Sequence, residues 1–303
     1  MLDLIGHGRN KIREGNAYKL AKEVHVEIFS ELLLELLINS GESKEHPRIV
    51  ILGGQPGSGK STLADIARHK VFDNQPVAAI NGDDYRACHP MAGEIYKKND
   101  KRFAELTDAD GRIWTSKLLE CAIQGKRDII FEATMRNREP LMSTINHLKN
   151  EGYDIEIMVM AVPGSVSRAG IVKRYENQRA RGYMARWTPF QAHDEAYVNM
   201  PETVSGIEKE SPIDSICVYN RAQELLYSNM RRDGILKPAL PQQDAKASIQ
   251  IERSRPLSLY EQNLLNDNVK NIQKMMEDRG AGKDFNAISA VIFGNAGLER
   301  HLI

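Results

Sequence analysis

The chain has 303 residues, 41 Lys and Arg against 41 Asp and Glu, and an apolar share of 41%. Without a basic excess there is no electrostatic footprint for non-specific nucleic-acid or membrane binding, and no apolar run reaches spanning length, so a small-molecule substrate is favoured. Cys88, Cys121 and Cys217 are too dispersed for a disulfide framework and fit a reducing compartment; with no apolar centre of a signal peptide near the start, a cytoplasmic protein is expected.

The first recognisable element is "AYKLAKEVHVEIFSELLLELLINSGES", a Leu-rich helical pattern closed by Ser and Gly ahead of Pro47. Residues 1–46 therefore read as an N-terminal helical segment, 47–235 as the main unit, and 236–303 as a linker with a C-terminal helical extension. The main unit opens on "RIVIL", a buried-strand pattern, followed by Gly54-Gln55-Pro56-Gly57-Ser58-Gly59-Lys60-Ser61 and the helical "STLADIARHKVF". This fits G-x-x-x-x-G-K-[ST] between a strand and a helix, the context a P-loop requires. Glycines let successive N–H groups turn inward at a positive helix end, Lys60 supplies a charge for the β- and γ-phosphates, and Ser61 is the expected Mg²⁺ ligand. The expected nucleotide-binding set is Gly54 through Ser61 with Thr62.

A second strand, "PVAAING", leads into Asp83 and Asp84. Asp83 reads either as a base for a substrate hydroxyl or as a solvated loop acid or helix N-cap, and Asp84 more as the cap. "DIIFEAT" is a third strand ending at Glu132, with Thr134 and Arg136 just beyond. Glu132 either acts on metal or substrate or is ion-paired to Arg136, and both readings bring these two residues together. The helical "EPLMSTINHLKNE" stops at Gly152 and gives way to the strand "DIEIMVMAV". Next come Arg168, Arg174, Arg179, Arg181 and Arg186, which suit a lid that neutralises a transferring phosphoryl group, or else a solvated face paired locally to Glu176. Thr188 followed by Pro189 reads as a cap and first-turn proline. "SICVYN" and "ELLYS" are further strands, "KPALPQQDAKAS" a linker, and "LSLYEQNLLNDNVKNIQKMMEDRG" an amphipathic helix.

Such alternation predicts an α/β fold, a P-loop NTPase-type parallel sheet flanked by helices with helical extensions at both ends. Ligands in these sheets gather at the carboxyl ends of strands, which hold Lys60, Asp83, Asp84, Glu132 and Thr134. His89 and His193 lack a second ligand at metal spacing and read as hydrogen-bonding residues. Tyr85, Tyr96, Trp114 and Trp187 are either base-stacking or core aromatics.

The blocks "ILGGQPGSGKSTL", "INGDDYRACHP", "IIFEATMR", "MVMAVPGSVSRAGIVKRYE" and "ARWTPFQAHDEAYVNMPETV" together resemble the zeta toxin family of bacterial toxin–antitoxin systems, in order and spacing, through about residue 230. The resemblance implies an ATP- and Mg²⁺-dependent kinase that phosphorylates UDP-N-acetylglucosamine on the 3′-hydroxyl of its amino sugar and starves cell-wall synthesis. It implies that Lys60 and Ser61 serve as the P-loop pair and Asp83 as the catalytic aspartate. Arg174 and Arg186 are then the arginines that grip the γ-phosphate, and Glu132, Thr134 and Arg136 the substrate-side block. Two positions depart from the family pattern: Ala133 replaces a glycine, and Ser116 falls where the family carries an acidic substrate contact, with Glu120 one helical turn on. The family also implies an epsilon-like helical antitoxin that blocks the nucleotide site, so residues 1–46 are either an inhibitor joined in cis or a cap on the sheet. Two other readings stay open: a P-loop kinase for a nucleotide, dinucleotide or antibiotic, and a nucleotide-dependent switch that transfers nothing to a small molecule.

Overall fold

The computed structural model of the chain describes residues 18–232, 235–238 and 244–294. Helix α1 (Lys22–Asn39) leads to β1 (Arg48–Gly53), and α2 (Lys60–Lys70) follows the P-loop. Strand β2 (Ala78–Ile80) runs through a short 3₁₀ turn into α3 (Ala92–Lys98), α4 (Phe103–Leu106) and α5 (Asp108–Gln124). Then come β3 (Ile129–Glu132), α6 (Arg138–Asn150), β4 (Asp154–Met160), α7 (Gly164–Ala180) and α8 (Phe190–Glu210). Strands β5 (Ser215–Tyr219), β6 (Leu225–Arg232) and β7 (Ile235–Pro238) finish the sheet, and α9 (Ala245–Ser254), α10 (Leu259–Asp278) and α11 (Phe285–Ile292) follow it.

The sheet has seven strands in the order β2-β3-β1-β4-β5-β6-β7. The first five in that order run parallel, and β6 and β7 are antiparallel additions at one edge. Strand β1 lies between β3 and β4, with Ile49 opposite both Ile129 and Ile155. Residues 49–52 are each 0% exposed, because helices cover both faces. Ile49 and Ile51 enter one apolar layer and Val50 and Leu52 the other, the pattern of a central parallel strand. This order puts the P-loop at the carboxyl end of β1, flanked by the ends of β3 and β4, with the end of β2 one strand farther out.

Helix α1 lies on α5 and the β2 edge, where Leu32 and Leu36 join the larger core and the Trp114 indole donates to the His25 carbonyl at 3.2 Å. Helix α9 packs on α8, β5 and β6, and its Ala245 and Ile249 enter the same core. The stretch read as a linker, 237–248, thus begins in β7 and ends in α9. Neither element has a strong pattern of its own: β7 is four residues ending in a proline, a composition confined to edges, and α9 is ten residues with two core contacts. Helices α10 and α11 form a separate cluster on α7, with Leu265, Val269, Ile272 and Met276 against Ala169, Val172, Tyr175 and Trp187. No described helix is long and apolar enough to cross a membrane.

Candidate active site

The P-loop is built by close backbone approach. Gly57 has φ +78°, and a Cβ there would lie 2.0 Å from the Ser167 carbonyl oxygen, so no side chain fits between the loop and α7. Gly59 (φ +97°) has the Arg221 guanidinium against it, and Arg221 Nη1 donates to the Ser58 carbonyl at 2.6 Å. Lys60 opens α2 and turns its ammonium back onto the Gly54 carbonyl at 3.0 Å. The Thr62 amide bonds Gly59 O at 3.0 Å, while Gln55 and Ser58 point inward and are fully buried.

Across from the loop, Asp83 is held by two guanidiniums: Arg86 Nε donates to it at 3.0 Å, and Arg186 Nη1 contacts its other oxygen. Burial alone would push this carboxyl up, but the neighbouring charges of Arg186, Arg86 and Arg174 outweigh it and hold the pKa at about 2. The N-cap position of the 3₁₀ turn falls to Asp83, which makes no side-chain cap bond, and not to Asp84, which opens the turn; the Asp84 side chain meets Asn81, and burial raises its pKa. Glu132 is also raised by burial, against the pull of Lys60. Lys60 is lowered by burial, partly offset by Glu132 and Asp83. Arg174 is lowered to about 10, first by burial and then by Arg186 beside it.

Glu132 and Arg136 line the same cleft, as both readings from sequence required, but they do not form the ion pair that one of those readings held. Arg136 Nη1 reaches Glu195 of α8 at 3.4 Å. The chain turns sharply between the two residues, with Met135 in the left-handed region (φ +53°) and its thioether packed under Gly53, so Glu132 faces Lys60 while Arg136 leaves toward α8. Thr188 is not a helix cap; its hydroxyl accepts from Arg174 Nη2 at 2.9 Å. Glu176 does not pair with the lid arginines but with Arg279 of the C-terminal region, through two contacts of 2.7 Å. Arg168 pairs with Asp194 and Arg179 with Asp100. Glu120 bonds His147 at 3.2 Å on the far side of α5; the carboxylate that α5 supplies to the site is Asp108, held by Arg86 at 2.7 Å.

These side chains line a single cleft of about 1090 Å³. Lys60, Ser61, Asp83, Glu132, Thr134, Arg136, Arg174 and Arg186 all reach it, as do Gly57, Gly59, Trp187 and Arg221. The volume exceeds that of a site for one drug-sized ligand and suits two ligands side by side. A second hollow of about 750 Å³ along α6 is wide open and shares none of these groups. No residue of α1 lines the cleft, so this helix is core and not an inhibitor occupying the site; residues 1–17 lie outside the described residues.

The cleft fits a polyphosphate. Arg174 Nε, Arg186 Nε and Ser58 Oγ are buried with no hydrogen-bond partner, at the P-loop or facing it. A hard ion that keeps most of its waters, such as Mg²⁺, would need only Ser61 and one nearby carboxylate beside the phosphates, and the cleft holds Ser61, Asp83 and Glu132.

Two contributors were missed from sequence. Arg221 follows β5, so the rule of strand carboxyl ends would have found it. Burial lowers its pKa. Arg253 of α9 reaches the P-loop from behind, donating Nη2 to Gln55 Oε1 at 2.8 Å across 198 residues of sequence, which no local pattern signals. His89 and His193 make hydrogen bonds, to Met91 and Tyr18 and to Ser167 and Asp194 respectively.

Comparison with known proteins gives a consistent result. The family model described as Zeta toxin matches residues 36–232. The toxin zeta of Streptococcus pyogenes is 33% identical over 204 residues, 67% of this chain and 70% of that protein. That of Enterococcus hirae is 32% identical over 203 residues, with the same coverage. A solved structure from the PezAT chromosomal toxin–antitoxin system of Streptococcus pneumoniae superposes with a TM-score of 0.70 at 21% identity, over 86% of this chain and 98% of that one.

Proposed function

The chain belongs to the zeta toxin family, a family of P-loop enzymes of kinase type, and on that premise we propose that it transfers the γ-phosphate of ATP to the 3′-hydroxyl of the amino sugar of UDP-N-acetylglucosamine. It acts in this reading as a toxin against cell-wall synthesis, restrained by a helical antitoxin, in keeping with the toxin–antitoxin source of the similar structure. The observation that carries the reading is the pair of buried, unpartnered guanidinium nitrogens of Arg174 and Arg186 opposite the P-loop, in one cleft with a carboxylate, Asp83. Donors of this kind are useful where charge spreads over the equatorial oxygens of a transferring phosphoryl group, and they suit transfer better than a switch.

Each residue then has a task. Lys60 leaves the Gly54 carbonyl to meet the β- and γ-phosphates, and Ser61 with Glu132 would hold Mg²⁺ directly or through its waters. When bound, the metal would supply charge neutralisation for the transferring group. Arg186 is shared between Asp83 and the phosphate. Once it turns to the phosphate, Asp83 loses the strongest of the neighbouring charges that hold its pKa down, and the oxygen so freed is available to take the proton of the attacking hydroxyl. Thr134 and Arg136 lie beyond Glu132 and orient the acceptor.

The test is incubation of the purified protein with ATP, Mg²⁺ and a panel of UDP-N-acetylglucosamine, other UDP-sugars, NAD and nucleosides, read by mass spectrometry. A gain of one phosphate on UDP-N-acetylglucosamine is expected. Asp83→Ala should lower turnover about 10²-fold or more while ATP still binds. Label on another acceptor overturns the substrate assignment, and equal loss of ATP binding overturns the role of Asp83.

A further inference from the structure

We infer that Arg253 of α9, outside the segment shared with the family model, is a positioning residue of the nucleotide site: it holds the P-loop from behind through the side chain of Gln55. The inference rests on the nucleotide-binding half of the proposed function and is independent of the acceptor.

Gln55 is 0% exposed and every polar atom of its amide is used. Nε2 donates to the Val162 carbonyl at 2.9 Å and to Ser167 Oγ at 3.2 Å, and Oε1 accepts from Arg253. The orientation is fixed by chemistry, since a carbonyl only accepts and a guanidinium only donates. The Ser167 hydroxyl in turn meets His193 Nε2 at 2.8 Å, and His193 Nδ1 meets the Asp194 carboxylate at 2.7 Å. Burial is the largest influence on His193 and lowers its pKa, against the opposing pull of Asp194. A run of hydrogen bonds thus links α9, the P-loop, α7 and α8.

Arg253 is the unusual member of this run. Its guanidinium lies 4.0 Å from the centroid of the Tyr197 ring, and Nη1 donates to the Tyr197 carbonyl at 2.6 Å. Its partners, Gln55, Tyr197 and the Met200 thioether, are all neutral, and Nε is buried with none. A half-buried cation without a carboxylate is costly, and a Met or Leu would fill the same space on α9 without that cost. Two effects offset it at this position. The donor fixes the one side chain through which the turn at Gln55 is anchored, and the charge stands behind a loop shaped for a polyanion. The rest of α9 is fastened independently, by Ala245 and Ile249 in the core and by the Ala245 amide on Glu208 at 3.0 Å, so the helix does not need Arg253 to stay in place.

The experiment is calorimetric titration of the full chain with the Mg²⁺ complex of a non-hydrolysable ATP analogue, alongside thermal melts without ligand. Arg253→Met should weaken binding about tenfold or more, the loss expected for one charge-assisted hydrogen bond, with a melting temperature close to that of the parent. Arg253→Lys keeps the charge but not the fork, and should lose less; it also serves as the readout should the Met variant not fold. The decisive comparison is made in Gln55→Leu. If Arg253 acts through Gln55, Arg253→Met has little further effect there, whereas losses that simply multiply overturn the inference. Unchanged binding by Arg253→Met overturns it too. Phosphorylation of an unexpected acceptor by the parent chain would remove the proposed substrate and leave this result standing.

Discussion

Asp83 is the residue on which charge and chemistry conflict. A general base needs to be free, yet this carboxylate is tied to Arg86 and Arg186 with a pKa of about 2. Its folded-state pKa is below the ordinary 3.8, so its contribution to stability is complete above about pH 4 and is lost as the pH falls toward 2. Asp83→Asn should therefore flatten the fall of melting temperature between pH 4 and pH 2; parallel curves for parent and variant would show that the ion pairs contribute nothing there. Lys60, Asp83, Glu132 and Thr134 were legible in sequence because each follows a strand that reads as buried. The two readings of Glu132 could not be decided from sequence, because four residues of separation say nothing about a left-handed turn at Met135. Gln55 was found as a loop position, but its role was not, because its partners come from α7 and α9.

Helix α7 stands between the cleft and the C-terminal helices. One face carries Arg174 to the cleft, and the other is covered by α10 and α11. Glu176, 1% exposed, accepts two bonds from Arg279, and Lys173 Nζ bonds Asn268 at 2.6 Å. Arg279→Met leaves a buried carboxylate alone and should cost about 3–5 kcal/mol, measured by urea denaturation at neutral pH. A cost near zero would mean that Glu176 finds water or another donor. The parallel strands were readable because both faces are buried and the apolar runs are continuous, and α10 was readable from its long amphipathic pattern, which begins with the Ser258–Glu261 capping box. Strand β7 and helix α9 were not, because their stability comes from the elements they join and not from their own periodicity.

The molecule as a whole has its large core around the sheet and a smaller one under α10 and α11, and the cleft lies where α7 passes between them. The N-terminal helix belongs to the first of these. Leu36→Ala should destabilise the fold by about 2–5 kcal/mol in a denaturation experiment and leave the specific activity of the folded fraction no higher than that of the parent. Raised activity would instead mean that α1 restrains the kinase. Among the described residues, Arg221 is the last in sequence to line the cleft, but the hydrogen bond that holds Gln55 comes from Arg253. A ribosome therefore finishes the described walls of the site before it makes the brace behind the P-loop, an interval of seconds at roughly 5–20 residues per second. On the function proposed above, the phosphate-gripping residues are thus made before the brace inferred for the P-loop, and a message cut short before α9 is expected to yield a product that binds ATP more weakly than the full chain.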